Sequence, residues 1–346
     1  MGKKTIPSAC EGEDDGVDLI SDLADDLLLR IFGLLPDARD FAGLAALSRR
    51  WRDLSTRSPN LDFHPVYLTD TEVEDDETVK RFDANLRRFN AFVDAVLERR
   101  VCSIDTLKMN VLRWPGGARA GLWLRRAMEL VVKSLDLRMC PPLRSRPGDK
   151  DCKVWLSRFT TAAEIKLNLN YATLWLPAAV EFNALTDLSL WVISLARADG
   201  GRLGRLLSSP CSPRLRKLHL LNVCGLEELQ LDARALEILK LDQLADLRRL
   251  DLDTPRLSSL DVGGSLLRRE PSNFTIRARA LEQLQCTLMP YPHEETSFNF
   301  QLLQSCTVHR LVVGLYVPTK VLTTLLLPSI LLFSRWREDS SLDPRG

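Results

Sequence analysis

Residues 215–262 read LRKLHLLNVCGLEELQLDARALEILKLDQLADLRRLDLDTPRLSSLDV, in which one short pattern returns five times. The pattern is L-x-x-L-x-L, with valine in the last position of the final copy. Successive side chains of a β-strand point to opposite faces, so the fourth and sixth residues of each hexamer share one apolar face. Each copy therefore predicts a short strand with one buried side.

The same hexamer recurs over most of the chain, with Ile, Val, Ala, Met or Cys at some leucine positions. The nine main copies start at Ile104, Val132, Ala162, Leu185, Leu215, Leu236, Leu257, Leu281 and Val308. Their starts are separated by 28, 30, 23, 30, 21, 21, 24 and 27 residues. Leucine-rich repeats have about 20–29 residues per unit. The spacing therefore predicts a leucine-rich-repeat solenoid, in which each strand lies beside the strand of the next repeat.

The shortest intervals contain two further copies, which start at Leu226 and Leu247, so that hexamers return there every 10 or 11 residues. A repeat of 21 residues that holds two copies predicts two strands, one on each side of the solenoid. The middle repeats are therefore expected to be two-sided β structure without convex helices. The alternative is that the second copies form irregular buried turns.

The longer intervals leave room for helices on the convex side. Residues 117–131 predict such a helix, with Leu122, Ala127 and Leu130 packed inward. Residues 79–100 predict an amphipathic helix, because apolar side chains recur at helical spacing. This apolar face consists of Phe82, Leu86, Phe89, Val93, Val96 and Leu97.

Upstream of the repeats, residues 19–54 read LISDLADDLLLRIFGLLPDARDFAGLAALSRRWRDL. Leucines at helical spacing precede Pro36, which ends the first predicted helix, and Asp40 and Ser48 suit the N-caps of a second and a third. Three helices in so short a stretch bury little apolar surface by themselves. Part of their apolar face is therefore expected to contact a partner.

This stretch resembles the F-box, in particular the F-box of plant F-box/leucine-rich-repeat proteins. The residues that match the family pattern are Leu23, Leu27, Leu28, Ile31, Leu35, Leu44, Leu47, Ser48, Arg49, Arg50 and Trp51. Two positions depart from it: Ala24 replaces the usual proline, and Leu54 is followed by Ser55 rather than tryptophan. The resemblance implies an α+β fold in which a small three-helix F-box precedes a leucine-rich-repeat α/β solenoid, or horseshoe.

The resemblance also implies a function as the substrate-recognition subunit of an SCF-type (Skp–cullin–F-box) E3 ubiquitin ligase. The F-box would bind the Skp-type adaptor, which links it to the cullin and RING subunits, and the repeats would bind a target protein. The expected adaptor-binding residues are Leu23, Leu27, Leu28, Ile31, Leu35, Leu47, Arg49 and Trp51. The apolar members suit a buried hot spot and Arg49 its rim. The alternative for each of them is a place in the small core of the domain itself, and for Leu28 and Leu44 the two alternatives are equal.

The target is expected to bind the concave face of the repeats, onto which the residues between the hexamer leucines point. Charges of both signs occur there, which favours a protein over a polyanion as the partner. The predicted target-binding residues are Arg216, Lys217, His219, Glu237 and Lys240. The alternative for this set is an ordinary solvated strand face.

The sequence divides into six predicted segments. They are a disordered tail (1–18), the F-box (19–60), an acidic linker (61–78), an amphipathic capping helix (79–100), the repeats (101–316) and a divergent C-terminal segment (317–346). The linker contains the acidic stretch DTEVEDDE at residues 70–77.

Composition argues against several functional classes. The 47 basic and 46 acidic residues nearly balance, which is unlike a general nucleic-acid binder. The eight cysteines form no C-x-x-C pair and no histidine stands at zinc-ligand spacing from them, so no metal or other cofactor is expected. No phosphate-binding loop or nucleophile elbow is present, so no enzymatic activity is expected. The N-terminus has no apolar signal region, and the scattered cysteines suit reduced thiols, so an intracellular protein in the nucleus or cytoplasm is expected. The longest apolar stretch, residues 321–333, is too short to span a bilayer, so no membrane partner is expected.

A second interpretation stays open at this point. The chain would be a stand-alone leucine-rich-repeat interaction adaptor outside any ligase, with F-box-like helices that only cap the repeats. The two interpretations differ in whether the apolar face of residues 23–54 is free for an adaptor or buried against residues 79–100.

Overall fold

A computed structural model describes residues 22–32, 49–55, 57–63, 76–111, 114–139, 152–196, 199–263, 272–288, 298–302 and 310–315. The predicted disordered tail, the C-terminal segment, the acidic stretch before Asp76, and the candidate site residues Leu35 and Leu47 lie outside these residues. The described chain is α+β, with few helices and one large sheet.

Five helices are described. They are α1 (Asp25–Phe32), α2 (Arg49–Ser55), α3 (Asp76–Arg99), α4 (Gly117–Leu130) and α5 (Gly200–Leu207). Helix α3 coincides with the predicted amphipathic helix and buries Phe89, Val93 and Leu97. Helix α4 coincides with the predicted convex helix and buries Ala127 and Leu130.

Sixteen strands are described. They are β1 (Asn60–Phe63), β2 (Ile104–Val111), β3 (Val131–Met139), β4 (Lys153–Trp155), β5 (Glu164–Asn168), β6 (Thr173–Trp175), β7 (Asp187–Leu195), β8 (Lys217–Cys224), β9 (Glu228–Asp232), β10 (Ile238–Asp242), β11 (Arg249–Asp253), β12 (Ser259–Gly263), β13 (Ser272–Arg277), β14 (Gln283–Leu288), β15 (Phe298–Leu302) and β16 (Arg310–Leu315). All nine main hexamers lie at strands, as their pattern predicts.

The main sheet is parallel and follows the order β1-β2-β3-β5-β7-β8-β10-β12-β14-β16, with β6 and then β4 attached beside β7. Every strand of the main run after β1 includes the fourth to sixth residues of one of the nine hexamers. The pairing is in register from hexamer to hexamer: Leu218 and Leu220 of β8 lie beside Leu239 and Leu241 of β10. All four leucines are buried, so the repeated pattern forms one continuous apolar face.

A second parallel sheet has the order β15-β13-β11-β9. Strands β9 and β11 arise from the second hexamer copies at Leu226 and Leu247, which confirms two strands per 21-residue repeat in the middle region. Leu229 and Leu231 of β9 are buried, as are Leu250 and Leu252 of β11. The core of this region therefore receives leucines from both sheets, and the alternative of irregular turns does not hold for β9 and β11.

Strand β1 begins the main sheet by pairing with β2, although residues 61–63 belong to the predicted acidic linker. Leu61 and Phe63 alternate with the half-buried Asp62 and are buried against the core. The sheet therefore starts directly after the helices of the predicted F-box.

Candidate protein-interaction surfaces

Helices α1 and α2 are joined by a polar contact at one end. The Arg50 guanidinium donates from Nε and Nη2 to Oδ1 of Asp25, at 3.0 and 2.8 Å, and from Nη2 to the carbonyl oxygen of Leu23. Oδ2 of Asp25 also lies 3.9 Å from Nη1 of Arg57. Because these side chains are exposed, the ion pairs contribute about 0–1 kcal/mol each and mainly fix the orientation of the two helices.

The start of α1 lies at the departure from the family pattern. The Ala24 carbonyl oxygen accepts the backbone N–H groups of Leu27 and Leu28, at 3.0 and 3.1 Å. The helix therefore begins at the expected place without the usual proline.

The apolar residues of α1 and α2 divide into two groups. Leu28, Trp51 and Leu54 are buried and belong to the continuous core of the chain. Leu27 and Ile31, one helical turn apart on α1, remain 42% and 39% exposed. We call these two side chains the α1 apolar face.

The structure thus separates the predicted adaptor-binding residues. Leu27 and Ile31 are accessible, Arg49 is exposed, and Leu23 is half-buried. Leu28 and Trp51 lie inside the chain, because both side chains belong to the continuous core. A direct contact of Leu28 or Trp51 with a partner would require this core to open.

Arg100 lies where α3 leads into the sheet. Its side chain is only 1% exposed, and its Nη2 donates to the carbonyl oxygen of Ser58, just before β1. Burial lowers the pKa of the Arg100 guanidinium to about 10. Arg126 of α4 donates from Nη2 to the Arg100 carbonyl oxygen at 3.2 Å. The junction therefore links α3, α4 and the segment that follows α2.

On the outward face of the main sheet, the predicted basic cluster is largely neutralised. Nζ of Lys217 forms an ion pair with Oδ1 of Asp187 on the neighbouring strand at 3.1 Å. Nε of Arg216 lies 3.8 Å from Oε1 of Glu237. His219 of β8 is half-buried and its pKa is lowered, first by burial and then by Lys240. The cluster therefore presents little net positive charge near neutral pH.

Parallel pairing aligns the outward side chains in rows. One row runs through Ser189, His219, Lys240 and Asp261, and the next through Trp191, Leu221, Asp242 and Gly263. Trp191 Nε1 donates to His219 Nδ1 at 3.4 Å, and the two rings meet edge to face with centroids 5.8 Å apart. We define the Trp191 patch as Trp191, His219, Leu221, Asp242 and Asp261.

The hexamer pattern predicts His219 and Lys240 on this face and does not single out Trp191, Leu221 or Asp242. The fifth residue of each hexamer points outward, which is Ser189, His219 or Lys240. Trp191, Leu221 and Asp242 each follow that residue by two positions. A period of two, continued past the end of each hexamer, places them on the same face. The signal was therefore present, because the strands β7 and β8 are longer than the pattern that identifies them.

The described residues offer neither a cluster of metal ligands nor a membrane-spanning helix. No group of three or more His, Cys, Asp or Glu side chains in the described ranges is arranged to hold a metal ion. Among the helices that the structure describes, none combines the length and the apolar character needed to cross a membrane.

The geometry defines a repeat protein with a parallel sheet and a helical pair that exposes two large aliphatic side chains. No protein-family model matches the chain, and no solved structure is significantly similar to it. Several curated proteins of Arabidopsis thaliana are similar. An FBD-associated F-box protein is 28% identical over 211 residues, which are 60% of this chain and 41% of that protein.

Two further relatives extend this similarity. Another FBD-associated F-box protein is 24% identical over 331 residues, 86% of this chain and 74% of the relative. An F-box/LRR-repeat protein is 31% identical over 213 residues, 60% of this chain and 43% of the relative. The match covers less than half the length of the first and third of these relatives. Together these relatives show that the chain is similar to plant F-box/leucine-rich-repeat proteins.

Proposed function

We propose that this protein is the target-binding subunit of an SCF-type ubiquitin ligase in the nucleus or cytoplasm. Its F-box helices bind a Skp-type adaptor, and the outward face of its main sheet, the concave side of a horseshoe-like solenoid, binds a target protein. The observation that carries the proposal is the α1 apolar face, in a chain whose relatives are named F-box proteins.

The arrangement of α1 and α2 supports adaptor binding. Leu28, Trp51 and Leu54 hold the two helices on the core, and Arg50 and Asp25 fix their orientation. Leu27 and Ile31 then remain outside, where exposed aliphatic side chains at helical spacing are a typical anchor for a partner. Because the supporting residues are internal, the accessible surface is held in one orientation before a partner binds.

The proposal assigns no chemical step to this chain. A target held on the sheet face would be brought near the conjugating enzyme carried by the cullin and RING subunits. The contribution to ubiquitin transfer is then proximity, which raises the effective concentration of the target lysine.

Adaptor binding is tested by titrating the purified chain with a plant Skp-type adaptor in a calorimeter. Leu27→Ala/Ile31→Ala is expected to weaken binding at least tenfold, on the order of the loss seen for hot-spot residues. Val101→Ala is the matched control, because Val101 is 93% exposed and lies outside α1 and α2.

All three proteins are expected to keep the same circular dichroism spectrum, because the substituted side chains are accessible. Trp51→Ala is unsuitable here, since it removes a core residue and changes folding. Equal adaptor affinity of the double variant and the wild type would contradict the proposed contact.

The burial of Leu28, Trp51 and Leu54 favours a second candidate, the stand-alone repeat adaptor. In that case α1 and α2 only cap the repeats, and the chain binds its partner without a ligase. A folded wild-type chain that does not bind the adaptor in the same titration would support this candidate.

A further inference from the structure

The charges on the outward face of the main sheet are unevenly compensated. Toward β3, the cations have carboxylate partners: Arg138 pairs with Asp136 at 3.1 Å, and Lys166 with Glu164 at 2.6 Å. Lys217 pairs with Asp187 at 3.1 Å. In these three pairs the charge of the cation is compensated by a carboxylate on the same face.

The other half differs. Among the described residues, the side chains of Lys240, Asp242 and Asp261 form no hydrogen bond and no ion pair within 4 Å, although Lys240 is near enough to act on the charge of Asp261. The two carboxylates lie on the adjacent strands β10 and β12, in neighbouring rows, and both are half-buried. Burial raises the pKa of Asp261 and Asp242 adds to this effect, while Lys240 and His219 oppose it.

A glycine leaves room for these carboxylates. Gly263 lies directly beside Asp242 in the register, and a Cβ at this position would be only 3.1 Å from Asp242 Oδ1. Without a side chain at residue 263, the half-buried Asp242 carboxylate can lie beside the β12 backbone at this position.

The carboxylates adjoin an apolar and aromatic surface. Leu221 separates Trp191 from Asp242 within one row, and His219 supports the indole ring through the contact to Nδ1. The face of an indole ring attracts an arginine or lysine side chain, and so do two neighbouring carboxylates. Leu221 offers an apolar contact to a residue next to that arginine or lysine.

We propose that the Trp191 patch binds an arginine or lysine side chain of the target protein, with an adjacent apolar residue of the target against Trp191 and Leu221. The inference rests on the target-binding role proposed above and names the chemistry of the bound segment. Lys240 is the exposed cation beside the two carboxylates, and it opposes the incoming charge.

The test uses three pools of fluorescent nonapeptides with a central Leu-Arg, Leu-Glu or Leu-Gln pair and randomised flanks. Binding to the full chain is measured by fluorescence anisotropy. The Leu-Arg pool is expected to bind about fivefold more tightly than the Leu-Gln pool, and the Leu-Glu pool more weakly than both. Asp242→Asn/Asp261→Asn is expected to abolish this preference, while Lys240→Ala increases it.

Asp253→Asn is the control, because Asp253 is an exposed carboxylate on β11 of the other sheet. The inference is overturned if no pool binds, if the Leu-Arg pool has no advantage, or if the advantage survives in the double Asn variant. It is also overturned if Asp253→Asn abolishes the preference equally.

Adaptor binding is measured on the same preparations. A chain that binds the adaptor without an arginine preference overturns this inference alone. A chain with the arginine preference that does not bind the adaptor keeps the inference and removes the ligase proposal.

Discussion

At the scale of single residues, Arg100 holds its guanidinium group in a buried position. Only its Nη2 has a hydrogen-bond partner, and Nε and Nη1 have none among the described residues. Burial removes water from the guanidinium at a cost in free energy, and no carboxylate among the described residues forms an ion pair that offsets this cost. The aliphatic stem is therefore expected to be the part of the side chain that stabilises the junction.

Arg100→Met is expected to change the free energy of unfolding by less than about 1 kcal/mol, because methionine keeps the stem and removes the buried charge. Arg100→Ala is expected to lose about 2–4 kcal/mol, since it leaves a cavity. Urea unfolding measures both values. Equal destabilisation by the two substitutions would mean that the guanidinium itself holds the junction.

His219 predicts a pH dependence of stability. Its pKa is lowered in the folded chain by burial and Lys240, against the opposing effect of Asp242 and Asp261. The unfolded chain therefore binds a proton more readily, and stability falls as the pH decreases through the ordinary histidine pKa of about 6.5. At higher pH the residue is neutral in both states and has no effect.

His219→Gln is expected to remove this loss, because glutamine keeps an acceptor for Trp191 and does not titrate. Urea midpoints of the two proteins between pH 7.5 and about 5.5 provide the measurement. Asp261, whose pKa is raised, acts in the opposite direction at lower pH and is present in both proteins. Parallel pH profiles would contradict the prediction.

At the scale of elements, helix α5 packs closely on strand β9. A Cβ at Gly204 would overlap the backbone carbonyl oxygen of Gln230, whereas a Cβ at Gly201 would have open space. The absence of a side chain at Gly204 is therefore what lets α5 approach the second sheet.

Gly204→Ala is expected to destabilise the chain by more than about 2 kcal/mol, because the overlapping group is backbone and cannot rotate away. Gly201→Ala on the same helix is the matched control and is expected to stabilise by up to about 1 kcal/mol through helix propensity. Thermal unfolding compares the two. A tolerated Gly204→Ala would show that α5 can shift on β9.

The hexamer pattern predicts the strands of the main sheet well, because buried leucines with a period of two define both the strand and its inner face. The pattern does not predict strands β13 and β15, because their sequences, SNFTIR and FNFQL, lack the leucine spacing. These two strands form by pairing in the second sheet. The sequence also does not predict the left-handed backbone conformation of Val192 within β7, where φ is 51°. A β-branched residue disfavours that conformation, and only the surrounding structure imposes it.

At the scale of the whole molecule, one hydrophobic core extends from Leu28 of α1 to Leu284 of β14. The F-box resemblance predicted an apolar patch on residues 23–54 and could not say which members face inward. That division depends on how α1 and α2 meet the core, a tertiary property which no local spacing encodes. The Trp191 patch was similarly hidden, because its members come from four strands that are distant in sequence.

In the proposed function, the helices before the repeats dock this chain onto a ligase. To test this, the chain is mixed with purified Skp-type adaptor, cullin and RING subunits, and the mass of the product is determined by size-exclusion chromatography with light scattering. We expect one stable complex that contains a single copy of each subunit. A chain that is folded by circular dichroism, yet elutes separately from the assembled adaptor, cullin and RING subunits, would contradict it.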